Sequence, residues 1–158
     1  MKKESKTCPS NPEKAASRVA INGVMLASIF VMLAVVFLDP EKFNLIAVIQ
    51  MFISIPFLFV SSLAYSKIGY WKETKIWDSL GYLTHTFGNF FMINAMGLLA
   101  SQISHTLGLV YFGITILLLL IYSLINLIYG NKSFKNQLAK FLFSTSIIVL
   151  GGILPILL

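Results

Sequence analysis

Ser79–Asn131, SLGYLTHTFGNFFMINAMGLLASQISHTLGLVYFGITILLLLIYSLINLIYGN, is the stretch on which the fold turns: 53 consecutive residues without an Asp, Glu, Lys or Arg. At about 1.5 Å per residue a single helix of this length would run about 80 Å, far beyond the ~30 Å of a bilayer's hydrocarbon. Two helices and a tight turn fit instead. The polar segment Ser101-Gln102-Ile103-Ser104-His105-Thr106 supplies the turn, which predicts spans at about 79–101 and 107–129.

Outward from this hairpin the same alternation continues. Val19–Leu38 is uncharged and long enough to cross, and Asp39-Pro40-Glu41-Lys42 ends it, because proline cannot continue a helix and charges demand water. Phe43–Ser66 forms a second span, with Pro56 near its middle and a kink predicted there. Lys67–Asp78 reads as an interfacial loop, anchored by the rings of Tyr70, Trp71 and Trp77. The last apolar run, 141–158, is the weakest span, being short and interrupted by Gly151-Gly152 and Pro155. The reading is an all-α integral membrane protein of five transmembrane helices (four if the last does not cross). A polar tail, 1–18, mobile and with a helical stretch just before the membrane as the alternative, precedes the transmembrane domain, 19–158.

Composition agrees. The chain is 57% hydrophobic and 11% charged, whereas a soluble domain carries about 25% charged residues. Its surface cannot face water all round. The net charge of +6 is carried by lysines in short runs between apolar segments, with Arg18 the single arginine. That placement reads as topology determination and excludes a nucleic-acid-binding face. With the N-terminus cytoplasmic, the tail, the 67–78 loop and the 130–140 loop hold eleven of the twelve basic residues, leaving Lys42 alone outside. Treating 79–131 as one crossing would export Lys132, Lys135 and Lys140. Cys8 is the only cysteine, so no intrachain disulfide forms. The 19–38 run is too long for a signal peptide's apolar region. Richness in lysine, isoleucine and asparagine points to a prokaryotic source, and hence to a prokaryotic cytoplasmic membrane.

All six acidic residues fall outside the predicted spans, and no span carries a row of arginines. Carriers that exchange ions on an intramembrane carboxylate, and voltage sensors, are therefore disfavoured. The densest polar set is in the third span: Thr84, His85, Thr86, Asn89 and Asn94. Steps of three and four put Gly81, His85, Gly88, Asn89, Met92 and Met96 on one helical face, and Gly108, Tyr111, Thr115, Tyr122, Asn126 and Tyr129 on one face of the next span. Counted from the cytoplasmic ends, His85 lies ~9 Å deep, Tyr122 ~12 Å, Asn126 ~6 Å and Asn89 ~15 Å. His85, Asn89, Tyr122 and Asn126 are thus the candidate lining of a small polar cavity. The competing reading is that they hydrogen-bond between helices as packing devices.

Chemistry beyond this is not expected. His85 has no carboxylate or nucleophile in reach, which argues against catalysis. His105 falls at the opposite side of the membrane from His85, so the two cannot share a metal or a haem. Met92 and Met96 read as packing. No enzyme activity, cofactor or metal site is predicted. Two functional readings remain: a transport- or channel-type protein, or a subunit of one; and a non-catalytic accessory, assembly or immunity-type protein that binds another membrane protein. Small residues four apart, Gly23 with Ala27 and Gly97 with Ser101, suit close helix approach within the chain, in a homo-oligomer or in a larger complex.

Overall fold

The computed structural model describes residues 11–68, 74–129 and 134–158. Lys2, Lys3, Lys6, Cys8, Tyr70, Trp71, Lys72 and Lys132 lie outside the described residues. The described elements are all helical. In order they are α1 (Pro12–Leu38), a 3-10 turn (Pro40–Lys42), α2 (Leu45–Lys67), α3 (Lys75–Ile103), α4 (His105–Tyr129) and α5 (Phe134–Ile148). A π turn, Val149–Ile153, carries α5 without interruption into α6 (Leu154–Leu157).

The chain is an all-α membrane protein. Four helical runs, Pro12–Leu38, Leu45–Lys67, His105–Ile128 and Phe134–Leu157, are long and apolar enough to cross a bilayer, with mean hydropathy between 1.9 and 2.5. α3 is the longest helix, at 29 residues, and is not among them, because Thr84, His85, Thr86, Asn89 and Asn94 dilute its apolar content. The least apolar span is therefore the third, not the last. The last helix gains length by starting at Phe134, seven residues before Phe141. Lys135 and Lys140 ride on its first turns, where their long stems carry the ammonium groups toward water.

Helix starts follow their capping residues. Asn11 Oδ1 accepts from the Glu13 N–H (2.9 Å), with Pro12 at the first helical position. α1 therefore begins within the segment read as tail, and residues 12–18 are helical. Asn44 caps α2 the same way, accepting from Ile46 N–H at 2.8 Å. Lys75–Asp78, read as loop, form the first turn of α3, where the Asp78 carboxylate faces the positive end of the helix. The hexapeptide turn shrinks to one residue: α3 ends at Ile103, α4 begins at His105, and Ser104 alone is non-helical. α2 runs through Pro56 without a break.

The chain divides into two compact units, Met1–Val35 with Phe52–Asn89, and Val36–Met51 with Phe90–Leu158. The first gathers the start of α1, the end of α2 and the start of α3. Its apolar core is Ala15, Tyr65 and Ile68, with Val19 and Trp77 packed against it. The second holds α4–α6 and the remaining ends of α1–α3, around Phe90, Phe112 and Ile148. Here α3 and α4 form an antiparallel hairpin in a fixed register: Gly97 faces Phe112, and Ser101 faces Gly108. Gln102 Nε2 donates to the Lys42 carbonyl at 3.0 Å, bringing the α1–α2 and α3–α4 turns to one end.

Candidate functional site: two intramembrane polar clusters

The first unit is organised around His85. Its Nδ1 lies 2.7 Å from Asn22 Oδ1 on α1, and its Nε2 lies 3.0 Å from Asn89 Nδ2, one turn further along α3. Asn22 Nδ2 is within reach of Ser61 Oγ (3.0 Å), Ser62 Oγ (3.2 Å) and the Leu58 carbonyl (3.4 Å) on α2. A carbonyl can only accept, so the Asn22 amide must aim its NH2 at α2 and its oxygen at His85. That assigns the proton of a neutral imidazole to Nδ1 and leaves Nε2 to accept from Asn89. Ser61 Oγ passes the chain on by donating to the Gly81 carbonyl at 3.0 Å. The network ties three helices together. One member remains incomplete: Asn89 Oδ1 is buried without a partner.

Toward the starts of α1 and α3 the cluster becomes charged. Arg18 donates to the Tyr65 hydroxyl and pairs with Asp78 at 3.4 Å. Its guanidinium carbon sits 4.9 Å from the Tyr65 ring centre and 5.6 Å from that of Tyr82, within cation–π range. Tyr65 meets His85 edge-on at 6.3 Å and lies flat on Gly81, where a Cβ would come within 2.9 Å of the ring. A lysine could not serve phenol, carboxylate and two ring faces together, because its point charge lacks the planar fork.

The second unit holds a different cluster. Gln50 on α2 and Asn94 on α3 are 7% and 1% exposed. Gln50 Nε2 donates to the Gly151 carbonyl at 2.7 Å, and Asn94 Nδ2 to the Ile147 carbonyl at 3.2 Å. The reason lies at Pro155. In an α-helix the Gly151 carbonyl would take its bond from residue 155, and proline has no N–H to give. The helix widens into its π turn, with Leu154 N–H reaching back to Val149; the Gln50 amide serves the Gly151 carbonyl in that turn and the Asn94 amide the Ile147 carbonyl just before it. With both NH2 groups committed to carbonyls, the amide oxygens must point away. Gln50 Oε1 and Asn94 Oδ1 are buried and have no partner.

Of the four side chains singled out in the sequence, His85 and Asn89 are bonded to each other. Tyr122 and Asn126 are on α4, where Tyr122 is 66% exposed and Asn126 Nδ2 donates to the Tyr122 carbonyl of its own helix at 3.0 Å. Sequence reasoning missed Arg18, Asn22, Tyr65 and Asp78 as one group, and Gln50 with Asn94 as another. Signals for both existed. Arg18 is the one arginine in a chain that otherwise uses lysine throughout, and Pro155 stands four residues after Gly151. Among the described residues no group of three or more His, Cys, Asp or Glu could hold a metal. Comparison with protein-family models, curated proteins and solved structures finds no match to this chain.

Proposed function

We propose that this membrane protein is of transport or channel type, or a subunit of such a system, and not an enzyme. We place it in a prokaryotic cytoplasmic membrane with its N-terminus inside, in keeping with the lysine distribution. The observation that carries the transport reading is the His85–Asn89 pair with its leftover oxygen. As it stands, His85 Nε2 accepts from Asn89. Were Nε2 to take a proton, it would become a donor, and a half-turn of the Asn89 amide would offer Oδ1 to receive it. A buried polar group with a second bonding arrangement within reach can hand on a proton or a small polar solute. A fully satisfied packing network has no such second state.

The test is reconstitution of the full chain in liposomes. Interior pH is followed with a trapped dye, and tracer uptake is measured in parallel. His85→Ala and Asn89→Leu should abolish any flux while the protein still inserts and keeps its helical spectrum. Flux that is unaltered in both variants would refute the reading.

A second reading, a non-catalytic accessory or assembly protein, is favoured by α1. A Cβ at Gly23 would meet nothing within 4 Å, and Ala27 one turn on is exposed, whereas Gly97 and Ser101 are consumed inside the chain. This reading predicts that Gly23→Leu disrupts an oligomer or a larger complex and that His85→Ala is tolerated.

A further inference from the structure

We infer that Gln50, Asn94 and the π turn Val149–Ile153 form a binding site for a small monovalent cation, ligated by neutral oxygens. The inference goes beyond the function proposed above, which concerns the His85 network. It starts from the orientation of two amides. Both NH2 groups are spent on the carbonyls of Gly151 and Ile147, so both oxygens are acceptors that no donor meets. A built Cβ at Gly151 would lie within 4 Å of both amide nitrogens, and one at Gly152 would lie 3.1 Å from Asn94 Oδ1. The donor ends of both amides, and the Asn94 oxygen with them, thus lie against one glycine pair.

Pro155 withholds a backbone donor from the same turn, whose Gly151 carbonyl is served by Gln50 instead. It can donate neither to Gly151, four residues back, nor to Leu150, five back, which the π pattern would require. Measured from the nearer helix ends, Gln50, Asn94 and Gly151 lie about 8–14 Å deep. All three thus lie within the helices and away from their ends, where an unmet acceptor is expensive.

What fits such a place must be electropositive. A divalent ion would need carboxylates, and Asp39 and Glu41, the acidic residues of this unit, lie in the connection between α1 and α2. Monovalent cations are held in membranes by amide and backbone carbonyl oxygens at interrupted helices. The absence of intramembrane carboxylates rules out a site that neutralises charge, not a cage of dipoles. The glycine pair lets the amides approach this closely, because a side chain at Gly151 would overlap the Asn94 amide and one at Gly152 the Phe112 ring.

The experiment uses the full chain in lipid nanodiscs. Equilibrium binding of ²²Na⁺ and ⁸⁶Rb⁺ is measured with N-methylglucamine holding the ionic strength constant, and thermal unfolding is followed in the same buffers. Saturable binding near one ion per chain is expected, with a higher melting temperature in Na⁺ or K⁺ than in N-methylglucamine. Gln50→Leu and Gly151→Ala should each weaken binding about tenfold or more. Gln50→Glu, which adds a formal charge to the cage, should tighten it about tenfold. His85→Ala should leave binding unchanged. If Gly151→Ala fails to fold, the opposite shifts of Gln50→Leu and Gln50→Glu decide. Absence of saturable binding, or binding insensitive to both Gln50 variants, overturns the proposal. So does a melting temperature independent of the cation, which is what a single buried water would give.

Discussion

Replacing Gly97 by alanine tests the packing of the second unit at its tightest point. A Cβ at that position would stand 2.6 Å from Phe112 Cε2 and 2.7 Å from Cε1, and closer still to Cζ. Carbon atoms normally approach to about 3.5–4.0 Å, so the overlap is about 1 Å against three atoms of one ring. The ring cannot retreat, because Phe112 is fully buried and its tip also fills the space beside Gly152. Overpacking of this kind costs about 1–3 kcal/mol, and a ring held between two glycines argues for the upper half of that range. The overlap costs the same in lipid as in water. In a bilayer the apolar transfer term largely vanishes, since lipid is as apolar as the core, but steric overlap does not depend on what lies outside. Equilibrium unfolding of Gly97→Ala in mixed dodecylmaltoside–dodecylsulfate micelles, followed by circular dichroism, should show this loss. Phe112→Leu in the same chain removes the clashing edge, and the double mutant should recover at least about 1 kcal/mol relative to additivity. A Gly97→Ala protein within about 0.5 kcal/mol of the parent, or strictly additive effects, would refute the packing argument.

Other perturbations separate the polar clusters. His85→Ala strips Asn22 and Asn89 of their partner and should cost about 0.6–1.7 kcal/mol for each lost bond in the same unfolding assay, with His85→Gln recovering part; equal stability of all three proteins would contradict the network. Arg18→Lys should destabilise more than Asp78→Asn, which removes an exposed carboxylate's ion pair and its place at the start of α3 and should cost about 1 kcal/mol; the opposite order would show that the carboxylate outweighs the fork. Pro155→Ala restores an N–H beneath Gly151, so hydrogen exchange should slow across residues 149–156 as the π turn closes to α, and unaltered exchange would mean the proline is not its cause. On a Cys8→Ser background, Lys42→Cys should react with an impermeant maleimide from outside and Lys135→Cys only after permeabilisation; the reverse pattern would invert the topology.

The alternation of charge-free and lysine-bearing segments was enough to locate the helices, because a bilayer punishes charge at depth and tolerates little else as a boundary. Its errors are all at helix ends. Lys135 and Lys140 marked the last span as starting too late, since a lysine's stem is apolar and only its tip needs water. Asn11-Pro12 carried a legible start signal for α1 that the density of charge in residues 1–18 obscured. The candidate site was less legible. Helical periodicity identifies which residues share a face of α3, which is how His85 and Asn89 were paired. It cannot say that Asn22 and Ser61 arrive from α1 and α2, because contacts between helices depend on register and rotation. Nor can it show that Gln50 and Asn94 spend their donors on carbonyls in and just before the π turn.

The single non-helical residue between α3 and α4 bears on how the protein enters the membrane. α3 carries the intramembrane histidine and asparagines and falls short of the apolarity of the other helices, while α4 reaches a mean hydropathy of 2.4. With only Ser104 between them there is no hydrophilic loop to thread across, and the two segments must pass from the translocation machinery as a pair. The greasier partner carries the reluctant one. A nascent chain cut before His105 would then leave α3 stranded in the aqueous channel, and a glycosylation acceptor site engineered at its end would report that failure directly.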